Sequence, residues 1–368
     1  MHHYVLHLND FGHHRTPSLT EKIMKRLGIC LLFIFTHVSY AAHTELNVYL
    51  WGSEIPHSLV HDFEKQTGIK VHFSTYDANE TMYTKIRAAS QEKVGVYDII
   101  MPSGYFVERM RKQGLLQVLD HQRIQHLENI DPTFLNSPYD PNNQYSLPMV
   151  WGTSGIFYNT HFVHPVPKNW NDLWDNRFKN QLLLLDDSRE IFAMAMLSLH
   201  YSPDDSDPKH IHQAFEKLLA LAPNIKLFAS DGIQAILVDE DANVGLVWNG
   251  DAYKGHTENK AVAYYYPKEG FIIWVDCLAI PANAPHVDAA YAFINYLLDP
   301  KVAAKVTLAQ GLATANRDAK ALLPETIQNN PMIFPDAETL KHGSFQRDVG
   351  EKTIELYNQY WQALKLSL

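Results

Sequence analysis

The stretch from residue 48 to residue 71, VYLWGSEIPHSLVHDFEKQTGIKV, constrains the fold more than any other. Val48, Tyr49 and Leu50 are β-prone and run into Trp51 and Gly52, where glycine frees the backbone for a turn. Pro56 suits a first helical turn. Leu59, Val60 and Phe63 then recur at helical spacing, and Gly68 ends the helix before a second β-prone run from Ile69 to Tyr76. Strand, helix, strand is the unit of a parallel sheet. In such sheets ligands bind at the carboxyl ends of the strands. Trp51 and Glu54 sit at such an end, and an aromatic face beside a carboxylate suits an organic cation.

The unit repeats. TMYTKIRAA (81–89) reads as a helix, VYDIIMPS (96–103) as a third strand and FVERMRKQG (106–114) as a helix closed by Gly114. Repeated βα units imply a mainly parallel sheet covered by helices. YSLPMVWGTSGIFYN (145–159) is apolar and β-like, and is expected to carry the chain from one lobe into another. QLLLLDD (181–187) reads as a strand followed at once by a helix. ANVGLVWNGDAY (242–253) reads as a strand, a loop and then a helix. IIWVDCLAIP (272–281) is strongly apolar, and a helix-rich tail follows. No long linker separates two halves, so several short crossings are expected, a geometry that makes a hinge.

The 368 residues carry a formal net charge of −10, which argues against nucleic acid as a partner. Residues 24–41, MKRLGICLLFIFTHVSYA, combine a basic start, an apolar run and a small-x-small cleavage signal before Ala42. We read them as a secretory signal peptide, which places the product in the periplasm. The His-rich residues 1–23 are expected to be a non-native or disordered extension, with translation beginning at Met24. The product from Ala42 onward carries 27 basic and 39 acidic residues, and Cys277 is its lone cysteine. An internal disulfide is therefore excluded. Cys277 lies in the apolar run CLAIP, where burial is expected.

Several chemistries lack their residues. There is no GxGxxG after a strand, no GxxxxGK[ST] and no G-x-S-x-G elbow. The 20 histidines form no HExxH. His212 and Glu216 lie one helical turn apart without a third ligand. No cofactor and no metal site is expected.

What recurs is acids beside aromatics at strand ends. Besides Trp51 and Glu54, Ser103 and Tyr105 follow the strand ending near 101. Asp187 and Glu190 follow 182–185, and Trp248 and Asp251 follow 243–247. Trp274 and Asp276 lie two apart and share a face in an extended backbone. Singly, each pairing is commonplace. A tryptophan is more often partly core, and an aspartate after a strand is usually a helix cap, which also suits Asp187. Five such clusters together suit a flexible polyamine, with methylenes on the rings and ammonium groups on the carboxylates. The acids would repel one another in a closed cavity, and a cationic ligand would relieve that repulsion.

The segments STYDANETMY (74–83), YDIIMPSGYFVERMRKQG (97–114), DPNNQYSLPMVWGT (140–153), LLLLDDSREIF (182–192), GLVWNG (245–250), WVDCLAIP (274–281) and FQRDVG (345–350) carry a family resemblance. Through them the chain resembles the periplasmic spermidine/putrescine-binding proteins of bacterial ABC transporters, and most the spermidine-preferring receptor. The resemblance implies an α/β, two-lobed type II solute-binding fold with an interlobe cleft and a hinge of three crossings, near 150, 276 and 320. It implies one lobe of 42–151 plus 276–320 and another of 152–275 plus 321–368. Trp51, Tyr105, Trp248 and Trp274 then match aromatic walls. Asp187, Glu190 and Asp276 match carboxylates that hold ammonium groups, and Ser103 and Gln346 match polar contacts. Only the resemblance points to Gln346. The implied protein is a monomer and no enzyme, which delivers its polyamine to an inner-membrane ABC permease.

Three positions depart from the spermidine receptor. Glu54 and Leu312 stand where it has tyrosines. Asp251 stands where it has a serine and the putrescine receptor an aspartate. Two added acids and a lost hydroxyl keep the ligand cationic but weaken the choice of spermidine over putrescine. The competing readings are a polyamine sensor that signals to a membrane partner, an enzyme using paired acids, and a receptor for another small ligand. An amino acid would need an arginine for its carboxylate, and Arg189 is the nearest candidate.

Overall fold

A computed structural model describes residues 45–52 and 54–368. The signal segment 24–41, Cys30 and the His-rich extension lie outside the described residues. Among the described residues eleven strands form one continuous sheet. In chain order they are β1 (Glu45–Trp51), β2 (Lys70–Tyr76), β3 (Ile99–Ile100), β4 (Ser146–Asn159), β5 (Leu182–Leu185), β6 (Ile225–Ala229), β7 (Val244–Trp248), β8 (Val262–Tyr265), β9 (Phe271–Ala279), β10 (Ala313–Thr314) and β11 (Gly343–Phe345). Their main order is β2-β1-β3-β9-β4-β7-β5-β6.

Each end of the sheet is parallel. β1 pairs with β2 and β3 at one end, and β5 pairs with β6 and β7 at the other. The middle is antiparallel, with β9 against β3 and β4, and β4 against β7. The expectation of a mainly parallel sheet thus holds for each lobe and not for the centre. β4 and β9 run past each other in opposite directions. Their register slips by one residue at Met149, between Pro148 and Val150, and such a bulge adds local twist.

The buried apolar side chains fall into two clusters. One gathers Leu46 to Trp151 with Phe271 to Phe334. The other gathers Ile156 to Val262 with Tyr357, Trp361 and Leu364. The last three lie on one face of the helix Glu351–Leu366, which docks the chain's end onto the second core. Leu323, Ile333 and Phe334 pack in the first core.

Local structure follows side-chain chemistry. The helix His57–Thr67 buries Leu59, Val60 and Phe63 and ends at Gly68, whose φ of 74° is the left-handed conformation glycine adopts freely. Pro56 precedes this helix as its N-cap residue and is not in its first turn. Leu182–Leu185 are all fully buried, as a central parallel strand covered on both faces requires. The third strand is shorter than its apolar run, because only Ile99 and Ile100 pair. The loop expected after β7 is missing, and the helix Asn249–Glu258 starts directly at Asn249. Among the described residues no helix is long and apolar enough to cross a membrane.

Gly245 lets β5 and β7 approach closely. A Cβ there would collide with the carbonyl of Leu183, its register partner. Gly245→Ala is therefore expected to destabilise the fold by about 2 kcal/mol or more, the scale of overpacking a tight interior. A urea unfolding midpoint equal to that of the unsubstituted protein would contradict this packing.

Candidate ligand-binding site

A cavity of about 530 Å³ is lined from both lobes. All eleven residues singled out from the sequence line it: Trp51, Glu54, Ser103, Tyr105, Asp187, Glu190, Trp248, Asp251, Trp274, Asp276 and Gln346. Leu312, at a position where the spermidine receptor has a tyrosine, lines it too.

The aromatic walls come from four places in the fold. Trp51 ends β1 and packs tilted against Tyr76 with ring centres 4.6 Å apart. Tyr105 is buried in the first turn of the helix Gly104–Lys112, and Asn79 Nδ2 donates to its hydroxyl at 3.3 Å. Trp248 is the last residue of β7. Trp274 lies mid-strand in β9, opposite Gly152 of β4. A Cβ on Gly152 would collide with the Trp274 indole and the Asn249 side chain, so glycine makes room for the ring. Asn249 Oδ1 in turn accepts from the Thr153 amide at 2.9 Å.

The acids are held by short local networks. Ser103 Oγ donates to Asp276 Oδ1 at 2.5 Å, and Asn79 Nδ2 donates to Ser103 Oγ at 3.0 Å. Burial pushes the Asp276 carboxyl up to about 6, against the pull of its hydrogen bonds. Glu54 is held well above the usual carboxylate range, first by burial and then by the charge of Asp276. Asp187 caps the helix Ser188–Ser198, accepting from the amides of Arg189 at 2.8 Å and Glu190 at 3.1 Å. Capping and cavity lining therefore coexist in Asp187. Burial raises its carboxyl as well. Burial, and next the Asp187 charge, raises Glu190 to about 8. Burial also raises Asp251 to about 6, although the Lys254 ammonium opposes this. Desolvation penalises a charge that has no counter-ion, and that is the common cause.

Five buried polar atoms of lining residues have no partner among the described residues. They are Trp51 Nε1, Trp274 Nε1, Glu54 Oε2, Glu190 Oε2 and Gln346 Nε2. An unpaired buried polar group costs about 1–3 kcal/mol, so a ligand that meets several of them gains a corresponding amount. Counting all lining residues, seven acids (Glu54, Asp77, Asp187, Glu190, Asp231, Asp251 and Asp276) face one base, Lys254.

Two expectations need correction. Trp274 and Asp276 do share a face, but in the middle of β9 and not at a strand end. They reach the cavity because β9 lies in the middle of the sheet, between β3 and β4. Asp251 lies in the first turn of the helix Asn249–Glu258 and not in a loop. Arg189, the candidate for an amino-acid carboxylate, is buried and pairs with Asp204 at 2.8 Å, and it is not among the lining residues.

Other lining residues escaped the sequence reading. Tyr76 and Asp77 follow from the end of β2, and Ser230 and Asp231 from the end of β6. The strand-end rule that found the others would have found these four. Lys254, one helical turn beyond Asp251, and Asn79, at the start of the helix Asn79–Gln91, carried weaker signals. Among the described residues no group of three or more His, Cys, Asp or Glu is arranged to hold a metal ion.

Comparison with known proteins agrees with this architecture. Residues 58–335 match the bacterial extracellular solute-binding protein family. The spermidine/putrescine-binding periplasmic protein of Escherichia coli (strain K12) is 42% identical over 330 residues, covering 88% of this chain and 94% of that one. The spermidine/putrescine-binding periplasmic protein 1 of Haemophilus influenzae is 43% identical over 326 residues, covering 88% and 90%. The solved structure of the spermidine/putrescine ABC transporter substrate-binding protein PotD from Streptococcus pneumoniae superposes with a TM-score of 0.75 at 36% identity, covering 88% of this chain and 99% of that one. The chain thus belongs to the bacterial extracellular solute-binding proteins and has their two-lobed type II periplasmic fold.

Proposed function

We propose that the chain is a periplasmic receptor that captures a polyamine, spermidine with putrescine as the alternative, and delivers it unchanged to the permease of an ABC importer. One observation carries the reading: a single cavity brings together seven acids, one lysine and the aromatic rings of Trp51, Tyr105, Trp248 and Trp274. Relatives at 42–43% identity that are named for spermidine and putrescine support it. The rings would pack on the methylene chain, while Asp276, Glu54, Asp187 and Glu190 would take its ammonium groups. Asp251 and Asp231 add acid at the side where Lys254 stands.

The lobes divide at β4 and β9, near residues 151 and 276. A third crossing is taken near residue 320, as the family resemblance implies. Closure about these crossings would bring the two sets of acids together, which a cation between them favours. The receptor works as a monomer. An amino acid is the poorer ligand, because Arg189 is paired with Asp204.

Calorimetry on ligand-stripped protein with putrescine, cadaverine, spermidine and spermine tests the reading. Tight binding of spermidine or putrescine is expected, and indifference to all four would overturn it. Asp276→Ala should weaken binding about a hundredfold or more, since it leaves a buried ammonium unpaired. Gly152→Ala should displace Trp274 and weaken binding, and it should also shift the tryptophan emission. Unchanged affinity and emission would remove Trp274 from the wall.

The sign of the pH dependence follows from the raised carboxyls. A group held above its unfolded value stabilises the ligand-free fold at low pH, and this contribution is lost as pH rises through the folded value. For Asp276 and Asp251 that value is about 6, and for Glu190 about 8. A bound cation favours the ionised form. Affinity should therefore fall as pH drops from 8 to 5.5, and the rise in Tm caused by spermidine should be larger at pH 8. A ligand-induced rise that is larger at pH 5.5 would contradict the assignment.

A further inference from the structure

Outside the cavity, charged side chains from both lobes converge on residues 346–350, which run from β11 into the helix Glu351–Leu366. From the first lobe, Glu108 accepts two hydrogen bonds from the Arg347 guanidinium, each at 3.0 Å. It also accepts from the Asp348 amide at 3.2 Å. Its neighbour Arg109 donates to Asp348 Oδ1 from Nε at 3.2 Å and from Nη2 at 2.8 Å. From the second lobe, Asp204 accepts from the Arg347 amide at 3.0 Å, and Arg189 donates to the Arg347 carbonyl at 3.3 Å. Glu108, Arg109 and Arg189 are all less than 8% exposed.

The pairing is reciprocal. An acid then a base on the helix meet a base then an acid on the segment, and the Glu108–Arg347 contact is two-pronged, which fixes geometry as well as charge. Burial alone would raise the Glu108 carboxyl, yet the hydrogen bonds from Arg347 and Lys112 hold it down at about 2. Both ends of the arrangement touch the cavity. Gln346 precedes Arg347 and lines it with an unpartnered buried Nε2. Tyr105 lies one helical turn before Glu108 and lines it too. At the far end, Gly350 has φ 83° and ψ 160°, a conformation essentially confined to glycine, and its amide donates to Asp348 Oδ1 at 3.1 Å.

We propose that residues 346–350 form a strap clasped to the first lobe by ion pairs and to the second by hydrogen bonds to its backbone, with Glu108 and Arg347 as positioning residues that fix the Gln346 amide in the cavity. The ligand consequence rests on the polyamine reading given above, whereas the clasp itself does not. Because the helix that carries Tyr105 also grips the strap, the wall at Tyr105 and the polar contact at Gln346 keep one spacing. Neither Glu108 nor Arg347 lines the cavity, and Gln346 is the strap residue that does, so the strap routes their effect on binding through Gln346.

A double-mutant cycle with two readouts tests this. Glu108→Gln keeps the shape and removes the charge. It should lower spermidine affinity about tenfold, the scale of one hydrogen bond to a charged group. Gln346→Ala should do the same, and the double variant should lose no more than Gln346→Ala alone. Hydrogen exchange at the Arg347 and Asp348 amides should quicken in Glu108→Gln without ligand. If that variant does not fold, Arg347→Lys, which keeps the charge but loses the fork, takes its place. Unchanged affinity, additive losses or unchanged amide exchange would each overturn the proposal. If the unsubstituted protein binds no polyamine, the receptor reading fails, and amide exchange alone decides the clasp in the same two directions.

Discussion

Carboxyl groups taken out of water beside one another are the constraint on which this molecule depends. Glu54, Glu190 and Asp276 are each about 5–6% exposed, and among the described residues none has a cationic side chain within ion-pair distance. Elsewhere acids meet cations of the chain, as at buried Glu108 with Arg347 and at half-buried Asp348 with Arg109. The contrast is chemical. An ion pair that is complete within the chain holds structure together, whereas an acid left without a counter-ion keeps its proton or takes a cation from outside.

The sheet explains where such acids can sit. Two parallel ends, each with its own core, are joined by the antiparallel strands β4 and β9. The strand ends supply Trp51, Trp248 and the loops that carry Ser103 and Asp187. The crossing strand supplies Trp274 and Asp276 from its middle. Gly152 completes the floor by yielding space to an indole. A single two-faced sheet would have buried those side chains in one core. A divided one leaves them at a seam that both lobes can reach.

Much of this was legible in the sequence, and for a definite reason. Period-2 and period-3.6 patterns mark where strands end, and strand ends are where a divided α/β sheet gathers its ligand contacts. That rule reached Trp51, Glu54, Tyr105, Asp187, Glu190 and Trp248 without any structure. It failed at β2 and β6 only because it was not carried through to Tyr76, Asp77, Ser230 and Asp231. Gln346 was different in kind. It sits in a loop with no local signal, and only the family resemblance pointed to it. The strap that holds Gln346 was out of reach altogether, since Glu108 and Arg347 are 239 residues apart and meet only through the tertiary fold. The antiparallel centre was hidden for a similar reason, because an apolar run reveals a buried strand and says nothing of its direction.

The central claim is that the cavity's acids hold protons which a polycation displaces. Calorimetry of spermidine binding at pH 6.5, repeated in buffers of different ionisation enthalpy, counts those protons directly. At that pH the ligand's amines are already charged, so they neither give nor take protons to a significant degree. Asp276 and Asp251 at about 6 and Glu190 at about 8 predict a net release of protons to the buffer. Spermidine binding with no proton release, or with net uptake, would contradict the account.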